Sequence, residues 1–571
     1  MGWGMRSQSG TSVGPNSPHA EACAENKAAC YAHPAIWGTL ALIAIIIALI
    51  VKNAPVRDVS SDPRCSLMVS QSILENGTIK IDSLNKQTET RLACAHEHNG
   101  HYYDYFPLGT PVLSLPAVLA ARVMGFDMAR LSDNASLQKF MVTFIVPVIF
   151  VIIFLMGRLY VPAWTALVIS VISVLGSSLV STLGTALWSQ CIATLLNALV
   201  LLVVVRHDAG NKQANPYLLG MLLFLSYLTR PTACMFIIMV FAYFFHKERK
   251  VLIRTAAFSF LLQLGFVAFS YYEYAQALPP YYLGRLHSHT SFFTALYGLL
   301  LSPSRGLFVF SPFLIVVTFL VVYLRRIIRT NTLLFLLVLW SLAHVLMTTR
   351  FAPWWAGWSF GARIFTESLP AWILLSFILW KEFASRITNA WKTRAVAATY
   401  LVLGLIAILI NTGQGLYNPW TQLWNNCIDD FDRPESALFS WKTPQVLATS
   451  EGVIEHCTKT VNKDGGFFVA AKSGYKLVLL QKDPRSCKEM NERAMAYLKL
   501  GYIEKSMEDL EQAVIKFPSC AWAYDFRGIV FIDVLHNSLY GCRDLEKACS
   551  LGVCDNLYLS RARGYCGRYS L

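Results

Sequence analysis

The sequence predicts a polytopic α-helical membrane protein of about eleven transmembrane helices that carries a soluble, cysteine-rich C-terminal domain. Three observations predict it. Hydrophobic residues, 55% of the 571, gather in long blocks, while charged residues are only 15%, below the roughly 25% of soluble proteins. Lysines and arginines concentrate in alternate loops between those blocks. Cysteines cluster in the segments that the same alternation puts outside. The mean hydropathy is +0.44 and the net charge +14. A basic balance fits nucleic acid or anionic lipid; its place in loops between apolar blocks points to lipid and excludes a nucleic-acid partner.

A stretch of about 18 or more apolar residues can cross a hydrocarbon core about 30 Å thick. Spans are expected near 36–51, 137–156, 163–181, 185–205, 216–229, 232–245, 251–272, 307–324, 332–347, 370–380 and 395–411. The first follows some 35 polar residues, too many for a signal peptide's n-region, and reads as a retained helix. Residues 1–34, rich in Ser, Gly, Pro and Ala, are expected to be a disordered cytoplasmic terminus.

Orientation follows the positive charge. With the N-terminus inside, the inner loops carry fourteen basic residues: Arg158, Arg206, Lys212, Lys247, Arg249, Lys250, Arg254, Arg325, Arg326, Arg329, Lys381, Arg386, Lys392 and Arg394. The short outer loops carry five: Arg230, Arg285, Arg305, Arg350 and Arg363. An odd number of spans then exports the tail. Of 14 cysteines, Cys65 and Cys94 lie in a long exported loop, 52–136, and eight lie in the tail. Even counts suit an oxidising compartment. A Cys65–Cys94 disulfide is expected rather than two unpaired thiols, with four disulfides in the tail and Cys554–Cys566 as the preferred local pair.

The transmembrane domain is assigned to 35–412. Its exported loop contains two segments of helical periodicity, about 62–75 and 109–124, too short to span and expected to lie on the membrane face. Two further outer loops cover about 273–306 and 348–369. Residues 413–486 read as a small α/β region with strand-like runs at Gly466–Ala471 and Tyr475–Gln481. Residues 487–571 read as a disulfide-rich domain with a repeat: Asp509-Leu510-Glu511-Gln512-Ala513 and Asp544-Leu545-Glu546-Lys547-Ala548 stand about 35 residues apart, in tetratricopeptide-like spacing. Fewer than three repeats rarely bury enough surface, so disulfides would supply stability.

The polar and aromatic clusters gather on the outer face. Asp62, just outside the first span, could take a proton from a hydroxyl near the bilayer, since a general base needs reach and a suitable pKa; Asp58 and Asp104 are reserves. The competing role is a helix cap, because Asp before Pro63 is a common helix start. Arg230 could hold a phosphate by a bidentate contact. Arg305, in Ser302-Pro303-Ser304-Arg305 at a helix start, could bind an anion together with backbone N–H groups, and Arg363 follows a tryptophan-rich run. Tyr103, Tyr105, His287, His289, Trp354, Trp355, Trp358 and Glu367 are candidates for sugar or acceptor contact; the tryptophans could equally be interface anchors. His287 and His289 would point different ways on a helix. No cofactor is named by the sequence, and a divalent metal, though open in principle, has no ligand motif behind it.

The layout over about residues 36–412 resembles the GT-C superfamily of polyprenyl-phosphate-sugar-dependent glycosyltransferases, in the group of protein mannosyltransferases and lipid A aminoarabinose transferases. The resemblance rests on Ser-Asp-Pro-Arg at 61–64, Tyr-Phe-Pro-Leu-Gly-Thr-Pro at 105–111, Thr-Arg-Pro-Thr at 229–232, Ser-Pro-Ser-Arg-Gly-Leu at 302–307 and Trp-Ser-Phe-Gly-Ala-Arg at 358–363. It implies an acidic catalytic residue in the first exported loop, best matched by Asp62, where many relatives have two adjacent acids and this chain has Asp-Pro-Arg. It also implies an undecaprenyl-phosphate-sugar donor, a periplasmic acceptor and a bacterial inner-membrane location with a periplasmic tail, which could also receive a protein partner. A lipid-linked-precursor transporter or flippase, and an envelope scaffold acting through the tail, are the competing classes.

Overall fold

In the computed structural model the described residues are 34–55, 61–86, 92, 94–282, 290–351, 353–357, 359–426, 438–449, 453, 468–470, 476–478, 484, 486–499, 503–562 and 565–566. Asp58, His287, His289, Trp358, Cys427, Cys457 and the expected disordered terminus before Pro34 lie outside them.

The chain is mainly helical. Among the described residues six helices are long and apolar enough to cross a membrane: Ala35–Asn53, Leu131–Gly157, Ser189–Asp208, Arg249–Tyr274, Arg363–Arg386 and Ala390–Tyr417. Seven other apolar helices have 10–17 residues. Several expected spans fall in this shorter class for local reasons. The block at 163–181 ends its helix at Leu175, where Gly176 caps it, and resumes as the short Ser178–Ser181 turn. The block at 307–324 is cut at Pro312, which gives Leu307–Phe310 and Phe313–Tyr323.

We number the elements that carry the argument. α1 is Pro34–Asn53, α2 Asp62–Asn76, α3 Gly109–Val123, α4 Leu131–Gly157, α5 Ala163–Leu175, α6 Ser189–Asp208, α7 Pro216–Thr229, α8 Ala233–Lys247 and α9 Arg249–Tyr274. α10 is Phe292–Leu301, α11 Phe313–Tyr323, α12 Thr332–Thr348, α13 Leu369–Arg386 and α14 Ala390–Ile408. A hairpin of β1 (Ala95–His98) and β2 (His101–Asp104) stands between α2 and α3, paired antiparallel with Ala95 opposite Asp104.

The two segments expected on the membrane face form helices at the expected places, but α2 is not a surface helix. Every residue from Asp62 to Ser72 is buried. Several of its polar side chains bond inside the protein: Ser70 Oγ donates to the Pro111 carbonyl at 2.7 Å, and Gln71 Oε1 accepts from Met128 N at 2.6 Å. A helix lying on lipid would expose one face; this one is walled by α3, α4 and β2. Cys65 is bonded to Cys94, with a Cα–Cα distance of 6.0 Å, which fastens α2 to the chain that enters the hairpin.

In the tail two short segments, Phe468–Ala470 and Lys476–Val478, pair antiparallel. Beyond them two helix pairs follow: α15 (Cys487–Lys499) with α16 (Ile503–Lys516), and α17 (Ala521–Ile529) with α18 (Ser538–Ser550). The repeated Asp-Leu-Glu has a physical meaning. Asp509 receives Arg493 from the preceding helix at 2.7 Å, and Asp544 receives Arg527 at 2.7 Å. The Leu510 and Leu545 that follow are fully buried. Each pair thus closes on one ion pair and one leucine.

The tail disulfides correct the expected local pair. Cys554 is bonded to Cys549 and Cys566 to Cys542, while Cys487 joins Cys520. The reason is the turn after α18. Gly552, at φ +100°, reverses the chain and brings Cys554 within 4.2 Å (Cα–Cα) of Cys549 at the helix end. Cys566 then returns against α18 beside Cys542.

Candidate active site

The centre of the site is the start of α2. Ser61 occupies the cap position and makes no side-chain cap bond, and Pro63 stands in the first turn. The Asp62 carboxylate does not cap its own helix either. It crosses to the start of α6, where its Oδ2 accepts from Ser189 Oγ at 2.8 Å and from Ser189 N at 3.3 Å. The N–H groups at a helix start are unpaired within the helix and favour an anion, so α6 presents Asp62 with a ready donor. Asp62 Oδ1 is buried and has no hydrogen-bond partner among the described residues. The capping role expected as an alternative is therefore not the one this side chain fills.

Arg230 follows the last residue of α7 and completes the group. Its Nη1 donates to Ser189 Oγ at 3.1 Å, and its Nε lies 2.8 Å from Glu367 Oε2. Its position depends on a close approach. Gly109, at the start of α3, lies so near Thr229 that a Cβ there would stand 2.5 Å from the Thr229 backbone. Only glycine allows α3 to abut the end of α7, and so sets Arg230 beside α2.

Glu367 and Arg363 come from the 3₁₀ turn Arg363–Ser368 that precedes α13. The chain enters this turn through Gly361 at φ +58°, pressed against Phe310, where no other residue fits without strain. The Arg363 guanidinium stacks on Trp188 at 4.2 Å, next to Ser189, and its charge reaches Asp62. The Glu367 backbone carbonyl is held by Asn197 Nδ2 at 3.1 Å, and Asn197 is itself fixed by Ser226 Oγ at 2.7 Å. Glu367 Oε1 is buried 3.9 Å from His344 Nε2, too far for a hydrogen bond.

Burial pushes the Asp62 carboxyl above its ordinary value, while the Ser189 hydroxyl, Arg363, the Ser189 N–H and Arg230 hold it down. Asp104, at the end of β2, lies close enough for the charge of Asp62 to act on it. Burial drives Asp104 well above the carboxylate range and Asp62 adds to the shift, against the Phe106 N–H and the Ser66 hydroxyl. Both neighbouring carboxyls are raised by burial, Asp104 well above its usual range, and Asp62 alone has the Arg363 and Arg230 charges working against the rise.

The aromatic candidates divide. Tyr103 lies beside Tyr274 (ring centroids 5.1 Å), and its hydroxyl donates to Glu273 Oε2 at 3.4 Å; burial, with the Glu273 charge second, pushes the phenol up to about 12. Tyr105 meets Tyr281 edge-on at 5.4 Å. Together they form an aromatic wall next to the Asp104 end of the hairpin. Trp354 is fully buried, its ring set against Gly298 and Phe439, so its face is not available to a sugar. Trp355, partly buried, meets Trp354 edge-on at 5.5 Å.

Arg305 is likewise occupied. Its Nε donates to the Trp355 carbonyl; Nη1 donates to the Ser304 carbonyl and Gln445 Oε1; Nη2 donates to the Gly357 carbonyl and Asn425 Oδ1, all at 2.6–3.1 Å. A guanidinium has five N–H donors, and each of the five has a protein acceptor. Arg305 ties three loops together, and an anion could bind it only by displacing one of them.

Sequence reasoning missed Trp188, Ser189, His344 and Glu273. The first two carried a signal: Trp188-Ser189-Gln190 is a polar break at the head of an apolar block, where a helix start exposes N–H groups. His344 lay inside an apolar run, and Glu273 at the start of an outer loop with no motif around it. Among the described residues no group of three or more His, Cys, Asp or Glu is placed to hold a metal ion. No protein-family model matches the chain, and no curated protein matches it, so the site stands on its own geometry.

Proposed function

We propose that the protein is a membrane glycosyltransferase of the GT-C type that moves a sugar from a polyprenyl-phosphate donor to an acceptor outside the cytoplasm. In this reading the bundle crosses the membrane about eleven times, the shorter apolar helices included, and the tail is a tetratricopeptide-like platform on the exported side. The observation that carries the reading is Asp62: one oxygen is held by Ser189, the other is buried without a partner among the described residues, and Arg230 and Arg363 stand beside it.

The chemistry follows from that arrangement. The acceptor hydroxyl oxygen attacks the anomeric carbon as the bond from that carbon to the lipid phosphate oxygen breaks. The hydroxyl proton passes to Asp62 Oδ1. The negative charge developing on the leaving phosphate falls near Arg230 and Arg363, and stabilising charge that grows in the transition state is a large catalytic term. Tyr103, Tyr105 and Trp355 are proposed to contact the sugar or acceptor. Arg305 acts by holding the loop that carries Arg363.

The direct test is transfer of labelled sugar from a polyprenyl-phosphate donor by the purified full chain. Asp62→Asn is expected to slow transfer by roughly 10²–10⁴ while donor binding persists, and Arg363→Ala to weaken donor binding. Transfer by Asp62→Asn at the wild-type rate would reject this reading.

A further inference from the structure

A second site lies away from these residues. α5, α11, α13 and α14 enclose a cavity of about 320 Å³ whose wall includes Trp164, Val317, Leu320, Trp380, Ala397 and Leu401. Its polar groups are few, chiefly Thr165, Ser376 and Tyr400. It is not a closed void: Trp164 is 57% and Leu401 43% exposed, so the wall continues onto the outer apolar surface of the helices. In a membrane that surface faces lipid, and a recess lined this way is filled by hydrocarbon rather than by water.

The charge at its mouth selects among lipids. The lining residues are Trp164–Ile169 at the start of α5 and mid-helix positions of α11, α13 and α14, and basic residues flank the last three in sequence. Arg394 is three residues before Ala397 and Leu401 four after it, so the three share one face of α14. Lys381 directly follows Trp380. Arg325 stands two residues past the end of α11 at Tyr323. Arg325, Arg326, Lys381, Lys392 and Arg394 are all exposed. The acid in these two loops, Glu382, is paired with Arg386 at 3.1 Å. An apolar recess whose helices carry exposed cations within about two turns of its lining fits one occupant, an anionic glycerophospholipid with an acyl chain in the cavity and its phosphate among Lys381, Lys392 and Arg394.

We infer that the protein holds an anionic phospholipid at this place, in the leaflet facing the 325–331 and 381–394 loops, independently of the proposed transferase site. The two cavity tryptophans supply the probe. Full-length protein in detergent is titrated with phosphatidylglycerol carrying brominated acyl chains, and with brominated phosphatidylcholine, while tryptophan fluorescence is followed.

The anionic lipid is expected to quench at lower concentration. The double variant Trp164→Phe, Trp380→Phe should lose most of that quenching. Lys381→Gln with Arg394→Gln should weaken the anionic lipid by roughly fivefold for each charge removed and leave the neutral lipid unchanged. Equal quenching by the two lipids overturns the inference, as does full quenching in the tryptophan double variant. Unchanged affinity in the charge variant overturns the phosphate contact and the inference with it. The tryptophan and charge substitutions are conservative or exposed, so their folding, checked by circular dichroism, should match wild type.

Discussion

Ser189 donates twice to a single oxygen of Asp62, from its hydroxyl at 2.8 Å and its backbone N–H at 3.3 Å. The other oxygen is left buried without a partner among the described residues. A residue that served only to start a helix would turn its carboxylate back toward its own first turn. This one is held from a distant helix, with one lone-pair face kept for something else.

Asp62→Asn should therefore leave the fold almost untouched, because no cap bond is lost. The amide oxygen can still accept from Ser189. Transfer should fall by roughly 10²–10⁴, the usual worth of a general base. Initial rates and thermal melts of the same preparations check both parts.

Ser189→Ala should shift the pH profile rather than abolish activity. The Ser189 hydroxyl lowers the Asp62 pKa, so removing it raises that pKa further. Asp62 then becomes protonated at higher pH, and the acid limb of the rate profile should move upward. The midpoint of that limb is the measurement, and a downward shift would contradict the assigned role.

Asp104 should be visible in stability. Its folded pKa lies well above the ordinary value of 3.8. Between the two values the folded state binds the extra proton, so its contribution is full below about pH 4 and is lost as pH rises through the folded pKa. Asp104→Asn, which never ionises, should flatten this fall, and the variant's stability should gain on wild type as pH increases. Denaturation at a series of pH values reads the slope.

Arg305→Met should act through folding. It removes the guanidinium donors of the Trp355 and Ser304 carbonyls and thins the network at Gly357, Gln445 and Asn425, which keep other donors. Leaving a buried acceptor without its donor costs about 1–3 kcal/mol each. Loss of donor affinity with unchanged stability would instead return Arg305 to the anion-binding set.

Disulfide mapping of the unreduced tail should recover Cys549–Cys554 and Cys542–Cys566. Cys542→Ser should then expose Cys566, and not Cys554, to thiol labelling.

The helical membrane class was legible because it depends on long apolar runs, which a sequence displays directly. So was the position of α2, from its periodicity and Pro63. The partner of Asp62 was not, since Ser189 is 127 residues away and only packing brings it near. Arg305 misled for a related reason. Its neighbours suggested an anion site, but its acceptors come from residues 355–357, 425 and 445, which no local pattern connects to it. Trp354 failed on burial alone: an exposed indole and a core indole read the same in a sequence. The tail repeat was legible as a period, and its Arg–Asp closure was not, because the arginine lies in the preceding helix.

The Cys65–Cys94 bond joins the helix that bears Asp62 to the strand pair that bears Asp104, across 29 residues of chain. A chain whose thiols are still reduced lacks that staple, so its two carboxyls are not yet fixed against each other. Setting the two carboxyls against each other is thereby tied to maturation: oxidation of this loop is what fixes their spacing.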